Sequence, residues 1–422
     1  MKRSGYTDLP LHYGHVPIWL AERMGKLGLS IIEAIVTDFG SDEVLRRLSD
    51  PFWFQSLGCV MGMDWHSSGI TTSVLGALKR VVNPRSKELG IYICGGRGKA
   101  SRKTPDELLN LAYRQSLDGD QLVRCSKLAA KVDNTAVQDG FQLYLHSFIV
   151  SKNGNWSIVQ QGMNGTNRTA RRYHWHSSDI KSFVEEPHTF IYGKNCGQIL
   201  NMTDSLAAPA RESIINIATE KPNVIMNEIK HIVMPRRHNV LEVDIDAKRL
   251  GAVLALAWDE NIRDFESLLL LKGLGPRTMQ SLALVSEIIY GTPIRFSDPA
   301  RFSFAHGGKD GHPFPVKTTT YDETIDFLRN ALSHAKLGND DKKQAMQNLS
   351  KVAVSLEKSA EPSAHFDELM EKEWRESKQF GGRTVSVFDE VATKKNTFAT
   401  KNSKHVSAQR KEPNERQLFL FK

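Results

Sequence analysis

Between Trp19 and Val36 the apolar residues Leu20, Met24, Leu27, Ile31 and Ile35 recur every three or four positions, the interval that lines up one side of an α-helix. That stretch predicts an amphipathic helix with one buried face. Asp50-Pro51 predicts the start of another, because Asp accepts hydrogen bonds from free amides and Pro suits the first helical turn. Ile91 to Cys94 is short, β-branched and aromatic, and therefore strand-like. The glycine-rich run behind it ends in Thr104-Pro105-Asp106-Glu107, the pattern of a capping box. Strand, loop, helix is the expected order. From Phe141 to Gln161 two strand-like runs flank Lys152-Asn153-Gly154-Asn155, whose Asn-Gly pair signals a tight hairpin. Ala170 to Trp175 would add a third strand.

Beyond about residue 205 the apolar spacing becomes helical, over Lys248 to Trp258, Phe265 to Leu271, Arg277 to Tyr290 and Asp322 to Ala335. After about Gln379 the periodicity stops, and Lys394 to Arg416 holds seven Lys/Arg against two acids. The expected fold class is α+β in three parts. Residues 1–204 form a mixed α/β domain with a small antiparallel meander, 205–378 a helical domain, and 379–422 a flexible basic tail.

Composition adds limits. The 422 residues carry 56 Lys+Arg and 48 Asp+Glu, a net +8, with 40% hydrophobic residues and seven Trp, which excludes a largely disordered chain. Four scattered cysteines with no Cys-x-x-Cys pair argue against a disulfide scaffold or a zinc ribbon. No apolar run is long enough for a membrane span, and the start lacks the apolar centre of a signal peptide. A cytoplasmic, nucleoid-associated protein with no membrane partner is the expectation.

The segment Phe265 to Thr278 contains Leu271-Lys272-Gly273-Leu274-Gly275-Pro276-Arg277 and resembles the helix-hairpin-helix of DNA repair and replication proteins. Glycines there let the backbone approach a phosphate, and amides opening the second helix point at its oxygens. Lys272, Gly273, Gly275, Arg277 and Thr278 are the expected DNA contacts. They would ignore base sequence. The chain ends Gln417-Leu418-Phe419-Leu420-Phe421-Lys422, similar to the pentapeptide by which bacterial polymerases and repair factors dock on the sliding clamp. Gln417, Leu418, Leu420 and Phe421 are its anchors, since apolar residues closing a polar tail have no core to join.

Cys94 to Lys103 packs three glycines and four cations into ten residues, which suits an anion-binding loop through Arg97, Lys99, Arg102 and Lys103. Its spacing matches neither the nucleotide P-loop nor the dinucleotide glycine pattern. Candidate catalytic groups are Asp64 and His66, two residues apart, together with Asp139 and His174. On the third meander strand Arg172, His174 and His176 share a face by the period of two, and Arg171 and Arg172 are further expected DNA contacts. Asp64, His66, His174 and His176 form a candidate set for a divalent metal, magnesium or manganese, that would activate water against a phosphodiester. Hydrogen-bonded core histidines are the alternative.

Five segments then stand together: Asp8 to Leu11, Gly14 to Pro17, Leu48 to Gln55, Asp64 to Gly69 and Ala170 to Trp175. With Ser303 to Gly311 they resemble a prokaryotic family catalogued as domain of unknown function number 763. The resemblance implies importance for Asp64, His66 and His174 and supplies no activity. The expected function is DNA binding in repair or replication, as a metal-dependent nuclease recruited by a sliding clamp. A noncatalytic DNA-binding adaptor and an enzyme of a small phosphorylated metabolite are the competing readings.

Overall fold

The computed structural model describes residues 9–10, 16–63, 68–166, 168–230, 247–300, 315–316, 318–335, 337–359 and 361–362. A central antiparallel sheet is built from β1 (Leu9–Pro10), β2 (Ile91–Arg97), β4 (Gln142–Ser151), β5 (Trp156–Asn164), β6 (Thr169–His176) and β7 (Phe190–Tyr192). Its order is β1-β6-β5-β4-β2, and β7 pairs with β6. The two hairpin strands close around the Asn153-Gly154 turn, where Gly154 takes a φ of +83° and Ser151 N–H donates to the Asn155 carbonyl. The meander expected from the apolar runs is therefore the middle of a larger sheet. A second small sheet runs β3 (Val137–Gln138), β8 (Gln198–Asn201) and β9 (Phe296–Ser297).

Helices cover both faces, because the strands bury residues on both. Ile91, Ile93, Leu145, Ile149 and Val159 point into a core shared with α1 (Ile18–Phe39), α2 (Ser41–Ser49), α3 (Pro51–Val60) and α4 (Gly69–Val82). Beyond α4 a short helix, α5 (Ser86–Leu89), leads into β2. Tyr92, Cys94, Phe148, Ile158, Tyr173 and Trp175 alternate with them and face a second core. That core is completed by α6 (Thr104–Gln115), α7 (Gly119–Lys131), α8 (Ala208–Thr219), α9 (Pro222–Lys230), α10 (Ala247–Asp259), α11 (Phe265–Leu270) and α12 (Pro276–Tyr290). The helices after residue 205 thus share apolar contacts with the sheet. Near the end of the described chain, α13 (Thr318–His334) and α14 (Asn339–Ser359) return to the first core through Leu328, Leu332 and Leu349. No described helix is long and apolar enough to cross a membrane.

Local signals explain several element ends. Asp50 accepts from the Phe52 and Trp53 amides at 2.8 and 3.1 Å, with Pro51 opening α3. Asp50→Ala is expected to cost about 1 kcal/mol, read as a lower midpoint in thermal denaturation. The capping box expected at Thr104 does not form. Helix α6 already includes Thr104, whose hydroxyl turns back to the Ser101 carbonyl at 2.7 Å, while Glu107 Oε2 accepts instead from Gly95 N–H at 2.8 Å and Lys79 Nζ at 2.7 Å. Lys79 also donates to the Gly95 carbonyl at 2.7 Å. Two residues earlier Asn83 holds both Ile93 groups, donating to its carbonyl and accepting from its amide at 2.9 Å. Side chains thereby occupy outward backbone groups of the edge strand β2.

Candidate functional site

At the junction of α11 and α12 the chain makes a corner at residues 271–275. Gly273 has a φ of +90°, a conformation open to glycine and costly for residues with a Cβ. Leu271 and Leu274 are buried and anchor the corner, while Lys272, Gly273, Pro276 and Arg277 are exposed. Gly275 precedes α12 and offers no side chain to cap its first amides. The corner is braced from below: Lys131 Nζ donates to the Leu274 carbonyl at 2.5 Å and Gln138 Nε2 to the Pro276 carbonyl at 2.8 Å. Burial pulls Lys131 below its usual range. Thr278 is buried, and its hydroxyl has no partner among the described residues.

The segment expected as a glycine loop is partly strand. Strand β2 continues through Gly95 and Gly96 to Arg97, and residues 98–103 form a 3₁₀ turn leading into α6. A Cβ on Gly95 would fall 2.3 Å from the His146 carbonyl oxygen, so glycine is needed there for close backbone approach. Arg97, Lys99, Arg102 and Lys103 are all exposed, and none has an ion-pair partner among the described residues. Helices α6 and α7 are joined by residues 116–118 and pack on each other. In such a helical hairpin the start of α6, carrying these cations, lies at the same end as the close of α7, which braces the corner.

Strand β6 holds two consecutive arginines, both without solvent exposure, that face opposite cores. Arg171 reaches Asp139 at 2.7 Å and Asp298 at 2.7 Å, and Tyr173 donates to the same Asp139 oxygen at 2.7 Å. Burial alone would lower Arg171, yet the two carboxylates outweigh it and hold the guanidinium above its usual range. Asp139 is thus a core partner of Arg171. On the other face Arg172 Nε donates to His174 Nε2 at 2.8 Å, so His174 carries its proton on Nδ1 and donates to the Leu48 carbonyl at 3.1 Å. Both ring nitrogens of His174 are engaged. Burial, then the Arg172 charge, holds His174 well below its usual range. His176, at the end of the strand, accepts at Nδ1 from Ser178 N–H at 3.2 Å. Asp64 and His66 lie outside the described residues, as do Gln417, Leu418, Leu420 and Phe421. Among the described residues no group of three metal-ligating side chains comes together.

A buried polar chain also crosses the second core. Ser126 Oγ lies 2.8 Å from His146 Nε2, His146 Nδ1 lies 2.8 Å from Gln160 Oε1, and Gln160 Nε2 donates to Asp133. Asp133 further binds His188 and, at 3.0 Å, Trp175 Nε1. Asp298, Lys131, His146 and Asp133 were not signalled by any motif. They belong to no spaced pattern in the sequence, and only folding brings their partners near.

The arrangement is that of an α+β protein with a helix-covered antiparallel sheet, two buried arginine centres and an exposed, glycine-turned helical corner. The chain belongs to the family described as protein of unknown function (DUF763), whose family model matches residues 5–316. That span takes in the arginine pair and the corner, and ends before the terminal pentapeptide. No curated protein and no solved structure matches the chain.

Proposed function

We propose that this protein binds the sugar-phosphate backbone of DNA, with the corner of α11 and α12 acting as a helix-hairpin-helix. The observation that carries the reading is the exposed corner itself: a glycine in the left-handed region, an uncapped helix start and flanking Lys272 and Arg277 with no acidic partner among the described residues. Free amides at a helix start favour an anion, and two adjacent cations add to it. Arg97, Lys99, Arg102 and Lys103 extend the basic footprint, giving contacts independent of base sequence. The terminal Gln417 to Phe421 segment would tether the protein to a sliding clamp. Cleavage with magnesium or manganese is the secondary reading, resting on Asp64 and His66; a metal at His174 would require Arg172 to leave its ring.

Fluorescence anisotropy with a labelled duplex at several salt concentrations tests this. Affinity should fall steeply and linearly on a double-logarithmic plot, and Lys272→Ala with Arg277→Ala should reduce the slope by about 2. Failure to bind at low salt would reject the reading.

A further inference from the structure

Arg171 and Arg172 are neighbours on one strand, equally buried, yet among the described residues only Arg171 has its charge met by carboxylates. Arg172 has three neutral acceptors: His174 Nε2 at 2.8 Å, Gln55 Oε1 at 2.9 Å and, more weakly, Thr71 Oγ1 at 3.3 Å. The rings of Phe54 and Tyr192 lie 4.6 and 5.0 Å from its guanidinium carbon. A guanidinium has five N–H donors, so one on each terminal nitrogen lacks an acceptor among the described residues. Burial brings Arg172 down to about 10, which leaves it charged at neutral pH. Among the described residues this buried cation is opposed by neutral dipoles and ring faces alone, an expensive arrangement.

Directly across the ladder, Arg172 is in register with Gln161. Gln161 is fully buried, its Nε2 donates to the Ser68 carbonyl at 3.1 Å, and its Oε1 has no partner among the described residues. Spare donors and a spare acceptor stand on adjacent strands, on the same face, without meeting each other. A group bridging them would carry negative charge and acceptor oxygens toward Arg172, and one O–H toward Gln161. We propose that Arg172 and Gln161 form a buried receptor for a protonated phosphate group, either a free phosphate or a terminal phosphate monoester of a nucleic acid. Water would satisfy the hydrogen bonds and leave the charge unmet. Sulfate would meet the charge, but it has no proton for Gln161 at neutral pH.

The experiment is thermal denaturation of the full chain near pH 7 with inorganic phosphate or sulfate at matched ionic strength. Phosphate should raise the midpoint saturably, and sulfate should not. A larger shift with a 5′-phosphorylated oligonucleotide than with its 5′-hydroxyl form identifies the nucleic-acid end as the source. Equal shifts with the two, beside a response to inorganic phosphate, identify the free anion. Arg172→Met should abolish the phosphate response. Gln161→Leu keeps the cation and should erase the discrimination, so that sulfate and phosphate act alike; this variant carries the test if Arg172→Met fails to fold. Equal response of the unaltered protein to both anions, no response to phosphate, or discrimination retained in Gln161→Leu overturns the proposal. None of these outcomes depends on Lys272 or Arg277, so DNA binding at the corner stands or falls separately.

Discussion

Arg171→Met is expected to destabilise the fold by about 3–5 kcal/mol, the usual cost of stranding the partners of a buried ion pair. Asp139 and Asp298 would be left in the interior, Asp139 with the Tyr173 hydroxyl and Phe141 amide, and Asp298 with the Cys196 and Ala300 amides. Those neutral donors do not replace a guanidinium held by both carboxylates. Asp298 follows β9, so the loss should also loosen the attachment of that segment to the sheet. The same change at Arg172 strands no carboxylate among the described residues and should cost clearly less. Urea denaturation of the two variants measures the difference, and equal losses would show that the carboxylate clamp contributes nothing special.

Acid should weaken the protein through His146 before the carboxylates titrate. Burial pulls His146 down to about 4, against an ordinary value of 6.5, even though the Gln160 bond favours the charged form. The folded state therefore refuses a proton that the unfolded chain accepts. Stability contributed by the neutral ring is present above pH 6.5 and is lost as pH falls from there toward 4. Linkage puts the loss at about 2 kcal/mol by pH 5. Denaturation midpoints between pH 7 and 5 test this, and His146→Gln should make that part of the profile shallower, with His174, also held below its ordinary value, supplying what remains. An unchanged slope in the variant would assign the acid sensitivity elsewhere.

Local rules foresaw elements whose cause is local. Apolar spacing located α1 and α12, the Asp-Pro pair located the start of α3, and Asn-Gly located the turn between β4 and β5. Alternation placed Arg172, His174 and His176 on one face of β6, and that parity holds in the ladder with β5. What spacing does not carry is partner choice. Asp139 reads as an acid ahead of a strand, and nothing in the chain announces that Arg171 and Tyr173 will enclose it. Thr104 and Glu107 look like a cap until Gly95 and Lys79 compete for the carboxylate, and the tertiary contacts win. The corner at Gly273 was legible because a left-handed turn between apolar anchors demands glycine locally. Its bracing by Lys131 and Gln138 joins residues more than a hundred positions apart and leaves no trace in the pattern.

The outer rim of the sheet has a consequence for assembly. At β2 a foreign strand would find the Ile93 and Gly95 peptide groups already occupied by Asn83, Glu107 and Lys79. At the opposite rim, among the described residues, it would meet the short β7 and a β1 ending in Pro10, which has no N–H to give. Among the described residues neither rim offers a long free edge to a second copy. Edge-to-edge growth of the sheet from copy to copy is thereby disfavoured.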